Sequence, residues 1–271
     1  MSIEDFVKAA LAEDVGRGDL FEKTVQKTPY TANIISKQDG VFAGAAYGRA
    51  LLELFGIGYE FFVDDGEGIK KGDRLLSVSG FNTDILKIER TLLNMLQHAS
   101  GIATKGALFC KLANGKAAVL DTRKTRPMLR VFEKYAARCG GVKNHRFGLD
   151  DTLMLKDTHL KSISDLEGYL TNAKKALPFT AKIEIECEDV ESAKTAMGLG
   201  FDIVMCDNMD VVSVKSVVAH KKMYNYSTLI ECSGNIDESN IAEYASSGVD
   251  AISIGSIIHQ AVWLDFSMKG V

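Results

Sequence analysis

Six short apolar segments recur through the second half of the chain, separated by longer stretches whose apolar residues have helical spacing. Successive segments begin 20 to 35 residues apart, which is the period of a strand followed by a helix. Strands that alternate with helices in this way form a parallel sheet. The pattern therefore predicts an α/β fold whose strands are AAVLD (117–121), TLMLK (152–156), KIEIEC (182–187), DIVMC (202–206), STLIEC (227–232) and AISIG (251–255).

Nearly every predicted strand ends at a polar or charged side chain, as at Asp121, Lys156, Glu186 and Asp207. In α/β barrels the active site lies at the C-terminal edge of the strands and takes residues from many of them. An open doubly wound sheet, which is the alternative architecture, concentrates its site at one switch point. The series of polar strand ends favours a TIM-like barrel with a site at its rim.

The first hundred residues have a different pattern. Apolar residues at helical spacing predict a helix within residues 1–20, and short β-like segments (NIISK, YEFFV and RLLSV) then alternate with glycine-rich turns and a helix around Tyr47–Phe55. A long helix follows from about Thr83 to Gly101. We expect one face of this helix to be buried, and that face consists of Ile85, Ile88, Leu92, Met95, Leu96 and Ala99.

Composition excludes several classes of protein. The formal net charge of −4 and the pI of about 5.8 argue against nucleic-acid binding, yet residues 121–146 hold eight lysines and arginines against two acids. Such a basic segment in an acidic protein suits a small anionic ligand. The five cysteines form no CxxC pair, which argues against a disulfide framework and against a structural zinc site. No signal peptide or membrane span is predicted, so we expect a soluble, cytoplasmic protein.

The polar strand ends define the chemistry of the predicted site. Arginine and lysine bind carboxylates and phosphates, and Glu186 and Asp207 are hard oxygen donors that suit Mg²⁺. The turns SGN (233–235) and SIGS (253–256) offer backbone N–H groups to a phosphate. Together these groups call for a ligand with several anionic groups, and phosphoribosyl transfer fits that demand. The candidate cations are Arg123, Lys124, His145, Arg146 and Lys156.

The segment DTRKTRPMLRVFEKYAARCGGVKNHRFGLDD (121–151) closely resembles the core motif of the quinolinate phosphoribosyltransferases, also called carboxylating nicotinate-nucleotide pyrophosphorylases. The resemblance continues through LKDTH (155–159), IEIEC (183–187), CDNM (206–209), ECSGNI (231–236) and LDFSMK. Upstream, EDVGRGDLF (13–21) and ERTLLNMLQHASGIAT (89–104) resemble the N-terminal domain of that family. The match therefore spans nearly the whole chain in order.

The resemblance implies an incomplete α/β barrel, over residues 103–257, and an α/β open-faced sandwich domain over residues 1–102 that the C-terminal segment 258–271 rejoins. It implies a reaction that joins quinolinate to phosphoribosyl pyrophosphate (PRPP) with decarboxylation, giving nicotinate mononucleotide, pyrophosphate and CO2 for NAD synthesis. It also implies a requirement for Mg²⁺ and a homo-oligomer, a dimer with shared active sites or a hexamer.

The family's site residues match this sequence position by position. Around the quinolinate they are Arg123, His145, Arg146 and Lys156, with Arg90 supplied by the partner subunit. Lys124 matches a lysine near the diphosphate, and Glu186 and Asp207 match acids beside the ribose and the metal. Catalytic roles fall to Glu186, Asp207, Lys124 and Lys156. The phosphate-binding positions are Lys124, Ser233, Gly234, Asn235, Gly255, Ser256 and His259.

Three other functions compete with this interpretation. One is a paralogue of the same fold that is associated with molybdenum transport, and another is a nicotinate phosphoribosyltransferase without decarboxylation. The third is a metabolite-binding module without catalysis. Among the remaining charged residues, we expect Arg126, Arg130, Lys134 and Arg138 to lie on the surface, and His98 to be a packed side chain.

Overall fold

The computed structural model describes residues 2–271, and the chain divides into two compact units. The first, which we call the antiparallel unit, contains the chain up to Ala107 together with Tyr135–Gly141 and Gln260–Val271. The second, the parallel unit, contains Leu108–Lys134 and Val142–His259.

The elements follow one another in this order. The first part of the chain contains α1 (Ile3–Val15), a 3₁₀ turn (Phe21–Lys23), β1 (Pro29–Ser36), β2 (Gly40–Val41), α2 (Ala45–Leu54), β3 (Gly58–Phe61), β4 (Gly68–Ile69), β5 (Arg74–Phe81) and α3 (Asn82–Ala113). The second part contains β6 (Ala118–Leu120), α4 (Arg130–Cys139), β7 (Leu153–Leu155), α5 (Asp157–Leu160), α6 (Leu166–Ala176), β8 (Ile183–Cys187), α7 (Val190–Leu199), β9 (Ile203–Asp207), α8 (Val211–Tyr224), β10 (Leu229–Ser233), α9 (Ile241–Ala245), β11 (Ala251–Ser253), α10 (Ser256–His259) and β12 (Phe266–Gly270).

The antiparallel unit is built on a four-stranded sheet with the order β12-β1-β5-β3, beside the two-stranded sheet of β2 and β4. The last strand of the chain, β12, pairs with β1, so the C-terminal segment completes the sheet that the N-terminal segment begins. The predicted apolar face of α3 is buried as expected, from Ile85 to Ala99. Burial of this face stabilises the helix, since a helix gains most of its stability from tertiary packing.

The helix α3 does not end near Gly101, where the sequence predicted its end, but continues to Ala113. Gly101 is instead a point of close approach between two parts of the chain. A Cβ atom at this position would lie 2.2 Å from the carbonyl oxygen of Val262. The glycine therefore permits a backbone contact inside the helix and does not terminate it.

The parallel unit contains one six-stranded sheet with the order β6-β11-β10-β9-β8-β7, in which every pair of neighbours is parallel. Each of the six predicted segments forms one of these strands, which confirms the α/β prediction. Among the described residues β6 and β7 are the edges of the sheet, and no strand pairing joins them. The sheet is an incomplete barrel.

The strand register brings the C-terminal ends of the strands to one edge. Asp207 of β9 pairs with Ser233 of β10, and Ser233 pairs with Ser253 of β11. Because side chains alternate between the two faces of a strand, residues two apart share a face. Glu186 of β8 lies opposite Met205, so Glu186, Asp207 and Ser233 point to the same side. This shared side is where the candidate site forms.

The prediction that His98 is a packed side chain is confirmed. All five cysteines are free, and Cys187, Cys206 and Cys232 are buried. His98 is buried and lies with its ring centroid 5.2 Å from that of Trp263, as a packed side chain should. Within residues 2–271, no helix combines the length and the apolar character needed to cross a bilayer.

Candidate active site

A pocket of about 510 Å³ opens at the C-terminal edge of the parallel sheet. Side chains from all six strands or from the loops that follow them form its walls, as expected for a site at the rim of an α/β barrel. The lining residues are Thr122, Arg123, Lys124, His145, Arg146, Met154, Lys156, Glu186, Met205, Asp207, Asn208, Ser233, Gly234, Asn235 and Ser253. Ten of the fourteen sequence-predicted site residues are among them.

Two cations in the pocket are held loosely. Arg123 and Lys124 lie in the loop that follows β6, where the hydroxyl of Thr122 accepts the backbone N–H of Lys124 at 3.0 Å. Within the part of the chain that the structure describes, neither the Arg123 guanidinium nor the Lys124 ammonium has an ion-pair partner. These two side chains are therefore available to an anionic ligand.

Arg146 is held much more firmly. It is 7% exposed, and its guanidinium donates to the carbonyl oxygen of Thr152 at 2.9 Å and to the sulfur of Met154 at 3.4 Å. Burial and the neighbouring Arg123 both lower the pKa of Arg146. Because burial and a neighbouring cation both disfavour the charged guanidinium, an anion bound in the pocket would stabilise it.

His145 stands above two buried carboxylates. Its Nε2 lies 3.3 Å from Oε2 of Glu184 and 3.5 Å from Oε2 of Glu231, and both glutamates are almost completely buried. Burial opposes a charge on this imidazole, but hydrogen bonding to Glu184 and then to Glu231 raises the pKa of His145 to about 10. Burial, together with the nearby carboxylate of Glu231, raises the pKa of Glu184. The imidazole and the two carboxylates therefore form one electrostatically coupled cluster beneath the pocket.

This cluster of His145, Glu184 and Glu231 has ligand atoms within 4.8 Å of one another, close enough for a metal ion. The state of the imidazole argues against that use. The backbone N–H of Arg146 donates to Nδ1 at 2.7 Å, and a ring that accepts this hydrogen bond at Nδ1 carries its proton on Nε2. A protonated Nε2 has no lone pair for a metal, and we interpret the cluster as the support of His145.

The second possible metal site lies at the rim. Glu186 and Asp207 line the pocket from the neighbouring strands β8 and β9, and the ammonium of Lys156 forms an ion pair with Glu186. The amide of Asn208 donates to Oδ2 of Asp207 at 2.9 Å. Two accessible carboxylates in a pocket that also admits phosphate match the way in which proteins hold Mg²⁺. These residues fit a magnesium ion better than the buried cluster does.

The turn after β10 brings backbone to the pocket. Gly234 has a φ of +89° and Asn235 a φ of +53°, and Asn235 donates from Nδ2 to Oδ1 of Asn208 at 3.0 Å. A Cβ atom on Gly234 would lie 2.1 Å from the same oxygen. A side chain at position 234 would therefore fill space that Asn208 occupies.

Four predicted site residues do not line the pocket. Gly255, Ser256 and His259 lie just beyond β11, and a Cβ on Gly255 would be 2.8 Å from Cδ of Lys124 and 3.4 Å from the His259 ring. These positions are thus next to the pocket cation Lys124. Arg90 is exposed on α3, in the antiparallel unit.

The prediction that four basic residues lie on the surface is partly wrong. Arg126 and Arg138 are exposed and Arg130 is half-buried, but Lys134 is completely buried. Its ammonium contacts the buried carboxylate of Asp121. The spacing of four residues places these side chains along one helical face. The carboxylate that pairs with Lys134 in the interior belongs to Asp121, which follows β6. No local signal in α4 identifies this partner.

Sequence reasoning also missed the residues beneath the cations. Glu184 and Glu231 occur within apolar strand segments, and a charge at such a position is the signal that could have identified them, because unpaired charges are rarely buried. Met154, Met205 and Ser253 line the pocket as parts of the same strands. Thr122 and Asn208 carry no signal beyond their position next to predicted site residues.

Comparison with known proteins agrees with the fold. The family model described as the quinolinate phosphoribosyl transferase C-terminal domain matches residues 102–269, and that of the N-terminal domain matches residues 19–100. The probable nicotinate-nucleotide pyrophosphorylase (carboxylating) of Methanothermobacter thermautotrophicus is 35% identical over 272 residues, which are 98% of each chain. The enzyme of that name from Mycobacterium leprae is 33% identical over 274 residues, covering 97% of this chain and 95% of its own.

A solved structure shows the same arrangement. The crystal structure of NadC from Streptococcus pyogenes is 37% identical and superposes with a TM-score of 0.93 over 99% of this chain and 95% of that one. Both family models together span the two units, and the relatives match this chain along nearly their full length. The chain belongs to the quinolinate phosphoribosyltransferase family.

Proposed function

We propose that the rim pocket is the active site at which this chain, as a carboxylating nicotinate-nucleotide pyrophosphorylase, joins quinolinate to PRPP for NAD biosynthesis. The observation that carries the proposal is that five cationic side chains and two carboxylates from different strands line one pocket of about 510 Å³. That combination suits a dicarboxylate and a phosphorylated sugar bound side by side. The reaction is a pentosyl transfer.

The quinolinate dianion would be bound by the cations nearest the buried cluster. The guanidinium of Arg146 is fixed by its hydrogen bond to Thr152, and burial together with Arg123 lowers its pKa. His145 lies beside it in the loop before β7. Arg123 and Lys156 complete the set from the opposite strand ends. Two carboxylates leaving water need about this much positive charge, because an unpaired carboxylate in a closed site costs several kcal/mol.

PRPP would lie along the outer side of the pocket. The unpaired ammonium of Lys124 suits its diphosphate, and the backbone N–H groups around Ser233, Gly234 and Asn235 suit the 5′-phosphate. We include Gly255, Ser256 and His259 in the phosphate-binding set because Gly255 lies against both the Lys124 side chain and the His259 ring.

Glu186 and Asp207 would hold Mg²⁺, which when bound neutralises the charge that builds up on the departing pyrophosphate. In the absence of a diphosphate, Lys156 balances the charge of Glu186. The amide of Asn208 keeps Asp207 pointed into the pocket. Both carboxylates also face the place where positive charge develops on the ribose as pyrophosphate leaves, and they stabilise that charge electrostatically.

The remaining steps concern the pyridine ring. Arg146, His145 and Arg123 orient the dicarboxylate so that the ring nitrogen attacks C1 of the ribose. The nitrogen thereby becomes cationic and stabilises the electron pair that stays on the adjacent ring carbon when the bond to its carboxylate breaks and CO2 leaves. That carbon then takes up a proton from water. The positive charge of Lys124 stabilises the leaving pyrophosphate, and that of Lys156 stabilises the reacting dianion. Most of this catalysis is positioning together with electrostatic stabilisation.

We also propose that the active chain is a homodimer, with Arg90 of each subunit completing the pocket of the other, and that dimers can assemble further into hexamers. The support is that Arg90 is exposed on α3 in the antiparallel unit and lies outside the pocket of its own chain. Five free cysteines and small-molecule substrates are consistent with a cytoplasmic enzyme.

The test is a single reaction with quinolinate, PRPP and Mg²⁺, followed for nicotinate mononucleotide and for CO2 together. We expect equal amounts of both products, no reaction with nicotinate in place of quinolinate, and a loss of about 100-fold or more in kcat/KM for Arg146→Ala. Lys175→Ala, which removes an exposed charge on α6, is the matched control and should leave the rate unchanged. Nucleotide formed without CO2 would refute the proposed decarboxylation.

A further inference from the structure

The ion pair between Asp121 and Lys134 is the most deeply buried charge pair in the described part of the parallel unit. Asp121 follows β6, Lys134 lies on α4, and both side chains have no exposed surface. Neither residue lines the pocket. The role of the pair has to be found in the groups that its hydrogen bonds reach.

Those hydrogen bonds hold the backbone of His145 from both sides. Oδ1 of Asp121 accepts the N–H of His145 at 2.8 Å, and Nζ of Lys134 donates to the carbonyl oxygen of His145 at 2.8 Å. The neighbouring Asn144 donates from Nδ2 to Oδ2 of Asp121 at 2.6 Å and to the carbonyl oxygen of Lys134 at 3.0 Å. Since Arg146 is the next residue, the pair determines where both His145 and Arg146 enter the pocket.

Stability does not explain why these two charges are buried. Burial raises the pKa of Asp121 and lowers the pKa of Lys134, even though each group is the other's partner. Burial therefore opposes the charged form of both groups, and their mutual attraction acts against that effect. Replacing a buried ion pair by apolar side chains of similar volume is often neutral or stabilising, so such a pair is weak evidence for a role in stability.

We propose that Asp121 and Lys134 are positioning residues, which fix the backbone of His145 so that His145 and Arg146 meet the two carboxylates of the substrate. The inference rests on the proposed function, in which His145 and Arg146 bind quinolinate. Asp121 and Lys134 would not touch the substrate themselves. They would affect its recognition by fixing the backbone of the loop 143–146.

The experiment compares the double variant Asp121→Asn/Lys134→Met with the two single variants. The double variant removes both charges at nearly constant volume, whereas each single variant leaves one buried charge without its partner and should unfold more easily. We expect the double variant to keep its thermal midpoint within a few degrees and to raise the KM for quinolinate by about tenfold or more, because small displacements of binding groups are costly. The KM for PRPP and kcat should change by less than about threefold.

Glu191→Gln/Lys194→Met, which removes an exposed ion pair on α7, is the matched control and should leave every parameter unchanged. A double variant that folds and keeps its KM for quinolinate would overturn the inference. So would a double variant that fails to fold, because the pair would then serve stability alone. Arg146→Ala, measured in parallel, separates the two levels: a normal KM for quinolinate in that variant would refute the proposed binding site itself.

Discussion

The turn after β10 allows a precise test of how backbone conformation supports the site. Gly234 has a φ of +89°, and a Cβ atom there would lie 2.1 Å from Oδ1 and 3.0 Å from the backbone nitrogen of Asn208. In Gly234→Ala the Asn208 side chain has to move. Two hydrogen bonds depend on that side chain, one from Asn235 at 3.0 Å and one to Asp207 at 2.9 Å.

The size of the effect follows from these contacts. An alanine in the left-handed region costs about 1–2 kcal/mol. Each of the two lost hydrogen bonds adds about 0.5–1.5 kcal/mol, which brings the expected loss in the free energy of unfolding to about 2–5 kcal/mol. For a chain of this size, that loss lowers the thermal midpoint by roughly 4–20 °C. Because Asp207 loses the amide that orients it, kcat/KM for PRPP should also fall, by about tenfold or more.

Gly248→Ala is the matched control, since Gly248 has a φ of +95° but lies outside the pocket, with Cγ1 of Val218 at 3.1 Å from the position of a new Cβ. This variant should lose about 1–2 kcal/mol of stability and keep its kinetic constants. The assays are calorimetric unfolding and steady-state kinetics with PRPP as the varied substrate. If the two variants showed the same kinetic constants, the reasoning that links Gly234 to Asp207 through Asn208 would be wrong.

Two further predictions concern the proposed partners of the pocket. Glu186→Gln should weaken Mg²⁺ binding by about tenfold or more, because one of two carboxylate ligands is lost. The measurement is titration calorimetry in the presence of pyrophosphate and without turnover. Glu188→Gln, at an exposed neighbouring position, should not change the affinity for Mg²⁺. Mixing Arg90→Ala chains with Arg146→Ala chains should restore about one quarter of normal activity if dimers exchange subunits freely, since half of the dimers are mixed and each has one intact site. Activity no higher than in the separate variants would contradict a shared site.

Much of the parallel unit follows from the sequence because its strands are apolar on both faces. The segment KIEIEC was predicted at 182–187 and β8 spans Ile183–Cys187, and the other five strands agree to within two residues at each end. The positions of such strands can be predicted from the local sequence, since a strand that is buried on both faces is a nearly continuous run of apolar residues. The end of α3 could not be predicted, because the glycine at position 101 serves a contact with Val262, which is 161 residues away.

The rim residues could be listed from strand ends, but their environments could not. The sequence places Arg123 and Arg146 in one basic segment, and only the structure shows that Arg146 is fixed while Arg123 has no ion-pair partner in the described chain. Lys134 illustrates the same difficulty, since its helix repeats basic residues at the spacing of a solvated face. What decides its position is a carboxylate from another element, and such a pairing leaves no trace in helical periodicity.

The cations of the pocket differ in how many contacts hold them, and this difference suits the two proposed substrates. His145 and Arg146 are anchored, through Asp121 and Lys134 at the backbone and through Thr152 and the glutamates at the side chains. A rigid planar dianion gains most from such fixed charges, because few side-chain motions remain to be lost when it binds. A flexible phosphorylated sugar gains more from long side chains that can follow its phosphates. Lys124, which has no ion-pair partner among residues 2–271, meets that second requirement on the side of the pocket proposed for the phosphates.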